Sequence, residues 1–151
     1  MKVIFDVMHL YYLPQYLPVA AELSSRGHDV QYLFHRSSEE MLNTVCKQII
    51  DTHDLNAAWC ESTSNATEHY LNEQAAWIVF GNAVKDLDQI HSVSKTVLMQ
   101  HGIGPKSCYY DVSENLTTVR FVEGEHRLSR LQALYPDATF IDSGYAKLDP
   151  I

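Results

Sequence analysis

Short apolar runs alternate with amphipathic stretches along almost the whole chain. Val3-Ile4-Phe5-Asp6-Val7 reads as a buried strand that carries one carboxylate. Residues 14–26 then place Leu17, Ala20, Ala21 and Leu23 on one helical face, with Pro14 suited to the first turn and Gly27 to the stop. The same alternation predicts strands at 29–35, 57–60, 77–80, 96–100, 118–122 and 138–141. Helices are predicted at 37–50, capped by Ser37 or Ser38, and at 64–74, 83–90 and 125–134. Strands separated by helices at this spacing need crossover connections. The expected fold is therefore α/β: a Rossmann-like, doubly wound, mostly parallel sheet with helices on both faces. Repeats, low-complexity tracts and Gly/Ser linkers are absent.

Composition narrows the function classes. With 151 residues, 46% of them hydrophobic and 20% charged, the chain has the makings of a single core. A net charge of −8 argues against nonspecific attraction to nucleic acid or to an anionic membrane surface. Cys46, Cys60 and Cys108 are odd in number and lack metal-type spacing, so they read as free thiols in a reducing compartment, with neither a disulfide framework nor a metal site. No apolar stretch approaches the ~20 residues that span a bilayer, and the expected location is the cytoplasm. There is no Walker loop and no complete dinucleotide fingerprint, so neither ATPase nor NAD chemistry is supported.

The chemistry concentrates in Gln100-His101-Gly102-Ile103-Gly104-Pro105-Lys106, directly behind the apolar run Thr96-Val97-Leu98-Met99. In open α/β sheets ligands bind outside the carboxyl ends of the strands, which is where this loop would lie. His101 suits a general base and Lys106 a point charge for a phosphate oxygen, while Gly102 and Gly104 permit close backbone approach. A backbone-bonded loop histidine, a solvated lysine and a plain turn are the competing explanations. His9, at the end of the first strand, is the second candidate base. The apolar setting Met8-His9-Leu10-Tyr11-Tyr12 equally suits packing or an acceptor-binding wall. Asp6 is placed to orient His9 or His101, or to bond loop amides. Tyr11-Tyr12 and Tyr109-Tyr110 could line an acceptor groove or fill a core, and Gly124 could present amides to the cleft at a helix start. His28 belongs to the turn after the first helix, and His35, His53, His69, His91 and His126 show no convergent spacing and read as exposed or half-buried surface.

Two stretches carry a family resemblance. His9, Pro14, Pro18, Ala20-Ala21-Glu22-Leu23 and Arg26-Gly27-His28-Asp29-Val30 look like the opening of GT-B glycosyltransferases. His101-Gly102-Ile103-Gly104-Pro105-Lys106 resembles the histidine-glycine-x-x-x-lysine motif of the CDP-glycerol glycerophosphotransferase family, the teichoic-acid polymerase type. Gly144-Tyr145-Ala146-Lys147-Leu148-Asp149 is similar to that family's segment at the handover between its two Rossmann-like domains. Gln100 stands where the family has tryptophan, Ile103-Gly104-Pro105 where it has threonine-proline-leucine, and Ala146 where it has proline.

The resemblance implies one half of a GT-B architecture, with residues 1–144 as the acceptor-side domain and 145–151 as the start of the interdomain connection. His101 and His9 would be the catalytic candidates, and Gly102, Gly104 and Lys106 would contact substrate. The reaction implied is transfer of glycerol phosphate from CDP-glycerol to a glycan, lipid-linked or polymer hydroxyl in teichoic-acid or capsule synthesis. Attack would be at phosphorus and no metal would be used. The donor, CDP-glycerol or a nucleotide sugar, would sit on a carboxy-terminal domain outside this chain. This half would hold no cofactor and would be inactive alone, and membrane association at the inner face would come through other parts of the protein. The alternatives are a nucleotide-sugar-dependent GT-B glycosyltransferase of polysaccharide synthesis and a noncatalytic α/β binding or partner domain.

Overall fold

Buried strands with apolar residues on both faces set the architecture. The computed structural model describes residues 1–100 and 116–150. In chain order the elements are β1 (Lys2–Val7), α1 (Leu13–Ser25), β2 (Asp29–His35), α2 (Glu40–His53), β3 (Ala57–Cys60) and α3 (Thr63–Glu73). They continue with β4 (Trp77–Phe80), α4 (Leu87–Ile90), β5 (Lys95–Met99), β6 (Val119–Val122), α5 (Glu125–Leu134) and β7 (Phe140–Asp142), with 3₁₀ turns at Leu10–Tyr12 and Ala146–Leu148. The strands form one sheet in the order β3-β2-β1-β4-β5-β6-β7, and every neighbouring pair is parallel. This is the Rossmann-like, doubly wound α/β fold.

Strand alternation divides the interior into two layers. Val3, Phe5 and Val7 face a cluster built with Tyr16 and Ala20 of α1 and Cys46 of α2. Ile4 faces the opposite layer, where Leu33, Ile78 and Phe80 meet Ala66 and Tyr70 of α3 and Ile90 of α4. A third cluster joins Val122, Phe140 and Leu131 of α5 at the β6–β7 end. Full burial of such side chains contributes about 1.5–3 kcal/mol each, so the two main layers dominate the stability of the sheet.

Helix ends depart from expectation for local reasons. Ser37 and Ser38 do not cap α2, which starts at Glu40. Asn43 instead folds back on the preceding turn: Ser37 N donates to its Oδ1 at 2.7 Å, and its Nδ2 donates to Ser37 O at 2.8 Å. On α1 the core face is Leu13, Gln15, Tyr16 and Ala20, with Leu17 and Leu23 partly buried, whereas Ala21 is exposed. Pro18 lies inside α1, where it removes one helix hydrogen bond. The helix expected at 83–90 shrinks to the single turn of α4, because Asp86 adopts a left-handed conformation (φ 58°) just before it.

Candidate functional site

The strand order reverses at β1, which has β2 on one side and β4 on the other. Crevices for ligands form at such a switch point, outside the carboxyl ends of the strands. Here β1 ends in Asp6 and Val7, β2 in His35, β3 in Cys60 and β4 in Phe80, followed by Gly81.

Asp6 is 5% exposed and is held by side chains from two other elements. His35 Nε2 donates to its Oδ2 at 2.9 Å, and the buried Tyr70 hydroxyl of α3 donates to the same oxygen. The sequence reading had Asp6 orienting His9 or His101 or bonding loop amides. Its partners are instead a histidine one strand away and a tyrosine across the layer, because Asp6 falls on the α3-facing side of the β1 alternation. His35, expected to be exposed or half-buried surface, is half-buried, with its side chain 12% exposed and turned onto Asp6. Burial opposes its charged form, but hydrogen bonds to Asp6 and to Cys60, its register partner on β3, outweigh that cost together with the carboxylate charge. The imidazole is pushed up to about 10 and is an imidazolium at neutral pH. Burial, first, and then the nearby Asp6 charge hold the Tyr70 hydroxyl well above its usual range.

A cavity of about 130 Å³ opens above this cluster. Asp6, His35 and Tyr70 meet Met8, Tyr12, Ala66 and Phe80 along its wall, with Thr63 and Thr67 of α3 and residues 81–85 forming the rest of its lining. Gly81 borders it because a Cβ there would stand 2.7 Å from the Tyr12 ring, closer than real side chains approach. Tyr12 is itself buried and forms part of an aromatic step in which His9 stacks on Tyr11 (centroids 5.1 Å apart, 8° between planes) and meets Tyr12 edge-on. His9 is exposed at the carboxyl edge of the sheet, on the loop after β1.

The same edge gathers the end of β5. Gln15, buried at the start of α1, donates from Nε2 to Met99 O at 2.7 Å, tying the helix behind the His9 loop to the last residue of β5. A second cleft there is lined by Gln15, Gln100, Glu123, Gly144 and Tyr145, among others. His101, Gly102, Gly104, Lys106, Cys108 and Tyr109-Tyr110 lie outside the described residues. Gly124 does not offer its amide to a cleft, since it donates to Asp142 Oδ1 at 2.8 Å. Cys46 and Cys60 are buried free thiols.

Missing from the sequence reading were His35, Tyr70 and the residues 81–85. Periodicity contained part of the signal: Ile4 and Asp6 share a strand face, as do Leu33 and His35, so a carboxylate and an imidazole at matched ends of neighbouring strands could have been paired. Tyr70 required knowing which layer α3 covers. Among the described residues no group of His, Cys, Asp and Glu side chains is arranged to hold a metal ion, and no helix is long and apolar enough to cross a membrane. No protein-family model matches the chain, and no curated protein matches it. The fold and this edge define its class: a Rossmann-like α/β domain with a mostly apolar cavity over a buried Asp6–His35–Tyr70 cluster at its switch point.

Proposed function

We propose that this chain is the acceptor-side domain of a GT-B transferase of the CDP-glycerol glycerophosphotransferase type, moving glycerol phosphate to an acceptor hydroxyl. The observation that carries the reading is the Gln15–Met99 hydrogen bond. It fastens the start of α1, and with it the loop bearing His9, to the point where the chain leaves β5 towards His101. The loop bearing His9 and the last described residues before His101 thus share one edge of a parallel sheet, the edge where such folds bind ligands. In this reading His101 takes the proton of the attacking hydroxyl, Lys106 and the glycines contact phosphate, and the exposed His9–Tyr11 stack forms a wall for the acceptor. The nucleotide-sugar alternative shares the acceptor-side role and differs in the donor, and it gains from His9 being exposed at the end of β1.

Calorimetric titration of the 151-residue chain with a glycerol-phosphate oligomer, and separately with CDP-glycerol, tests the assignment. Saturable binding of the oligomer with near-background binding of the donor is the expected result. Strong donor binding with turnover by the isolated chain, or no interaction with the oligomer, would overturn it.

A further inference from the structure

The second cleft, at the carboxyl end of β5, holds an unmet polar group that the transferase reading does not use. Gln15 is 1% exposed and lines this cleft. Its Nε2 donates to Met99 O, an atom that can only accept, and this fixes which way the amide faces. Its Oε1 is buried and has no hydrogen-bond partner. A buried acceptor on the wall of a cleft asks for a donor from whatever occupies the cleft. The charged residues of the lining are of one sign: Glu123 is half-buried and Asp149 exposed, and no lysine, arginine or histidine joins them among the described residues. Arg127 does not line the cleft, but its Nε lies 2.7 Å from Glu123 Oε1 and compensates that carboxylate in part, whereas Asp149 has no ion pair. Met99, Phe121 and Val122 give the cleft an apolar side.

We propose that this cleft binds a small primary amine, with the ammonium group donating to Gln15 Oε1 and the Glu123 carboxylate and a short carbon chain lying along Met99, Phe121 and Val122. An anion does not suit a wall that offers two carboxylates and an unfilled acceptor. A neutral hydroxyl has a single proton to give, whereas an ammonium has three and makes charge-assisted bonds roughly twice as strong as neutral ones. A quaternary cation would answer the carboxylates and leave Gln15 Oε1 unfilled. Asp149 at the exposed rim, and the net charge of −8 on the chain, draw a cation towards the cleft. The volume of about 140 Å³, roughly ten times the ~10–15 Å³ that one water requires, suits a chain of a few carbons. Binding here involves no group transfer and stands or falls apart from the transferase reading.

The test is titration of the isotope-labelled chain at neutral pH and low salt with n-butylammonium, 1-butanol and tetramethylammonium, followed by amide shifts. Butylammonium should bind saturably, with shifts centred on residues 15–19, 121–123 and 143–149 and on the side-chain amide of Gln15. The alcohol, which lacks the charge, and tetramethylammonium, which lacks the donors, should each bind at least about tenfold more weakly. Glu123→Gln keeps an acceptor for Arg127 and should weaken butylammonium about tenfold, as expected for one lost charge-assisted contact. Its fold is checked by circular dichroism. If it unfolds, the exposed change Asp149→Asn decides the matter, with an expected loss of about threefold that added salt abolishes. No saturable binding, shifts confined to another part of the chain, equal affinity for either control molecule, or an affinity unchanged in the folded variant would overturn the proposal.

Discussion

His35 shows how a single side chain can join the folding and the chemistry of this domain. It keeps Asp6 charge-compensated inside the sheet, and removing one partner of a buried pair leaves the other charge stranded, at about 3–5 kcal/mol. The pair also sets a pH dependence. The folded-state value of His35 is raised from 6.5 to about 10, so its contribution is fully present below about pH 6.5 and is lost as pH rises through about 10. Urea midpoints of the wild-type chain should therefore fall between pH 6.5 and 10. His35→Gln should be less stable at neutral pH and should show a flatter profile over that interval. A wild-type profile already flat there would refute the ion pair. At this scale the sequence was only half legible: the strand and the carboxylate of Asp6 were plain, but a partner 29 residues away follows from which strands are adjacent and which face each residue takes.

Among the elements, α3 does most to shape the cavity, because it supplies Tyr70 to the floor and Thr63, Ala66 and Thr67 to the wall. Its start depends on Ser62, whose Oγ accepts from Asn65 N at 3.1 Å. Ser62→Ala should cost about 1 kcal/mol of stability, the usual loss for an N-cap. Because the fraying begins at Thr63, amide exchange should quicken in the first turn of α3 while α1 and α2 stay protected, and uniform loss of protection would argue against a local cap. Element type was legible wherever burial alone sets the pattern, as in β2, β3, β4 and α5, whose predicted bounds agree with those observed. It was less legible where polar side chains rearrange the backbone. Asn43 displaced the serine cap of α2, a left-handed Asp86 shortened α4, and Gln15 is buried by its bond to Met99 although its type suggests solvent.

For the whole molecule, the mostly parallel character of the sheet followed from the alternation of strands and helices, since parallel neighbours can be joined only by crossovers, whereas the strand order β3-β2-β1-β4-β5-β6-β7 is set by how the layers pack and was not legible in the sequence. The catalytic assignment did not follow in the same way: the residues that point to it, His101 and Lys106, were recognised by motif and lie outside the described residues, and the structure locates only the strand they follow and the helix tied to its end. The proposed division of labour makes a clear kinetic statement. A positioned general base contributes ~10²–10⁴-fold to turnover, so His101→Ala in the complete transferase should lower kcat by that much with little effect on melting temperature. Lys106→Ala should instead act mainly on KM for the phosphate-bearing substrate. His9→Ala removes one ring of the exposed stack with Tyr11 and should weaken acceptor binding while leaving kcat within a few-fold. Steady-state kinetics of the three variants with donor and acceptor varied separately decide between the two histidines. If His9→Ala abolishes turnover while His101→Ala leaves it near normal, the base belongs to the loop after β1, and the nucleotide-sugar reading displaces the glycerophosphotransferase one.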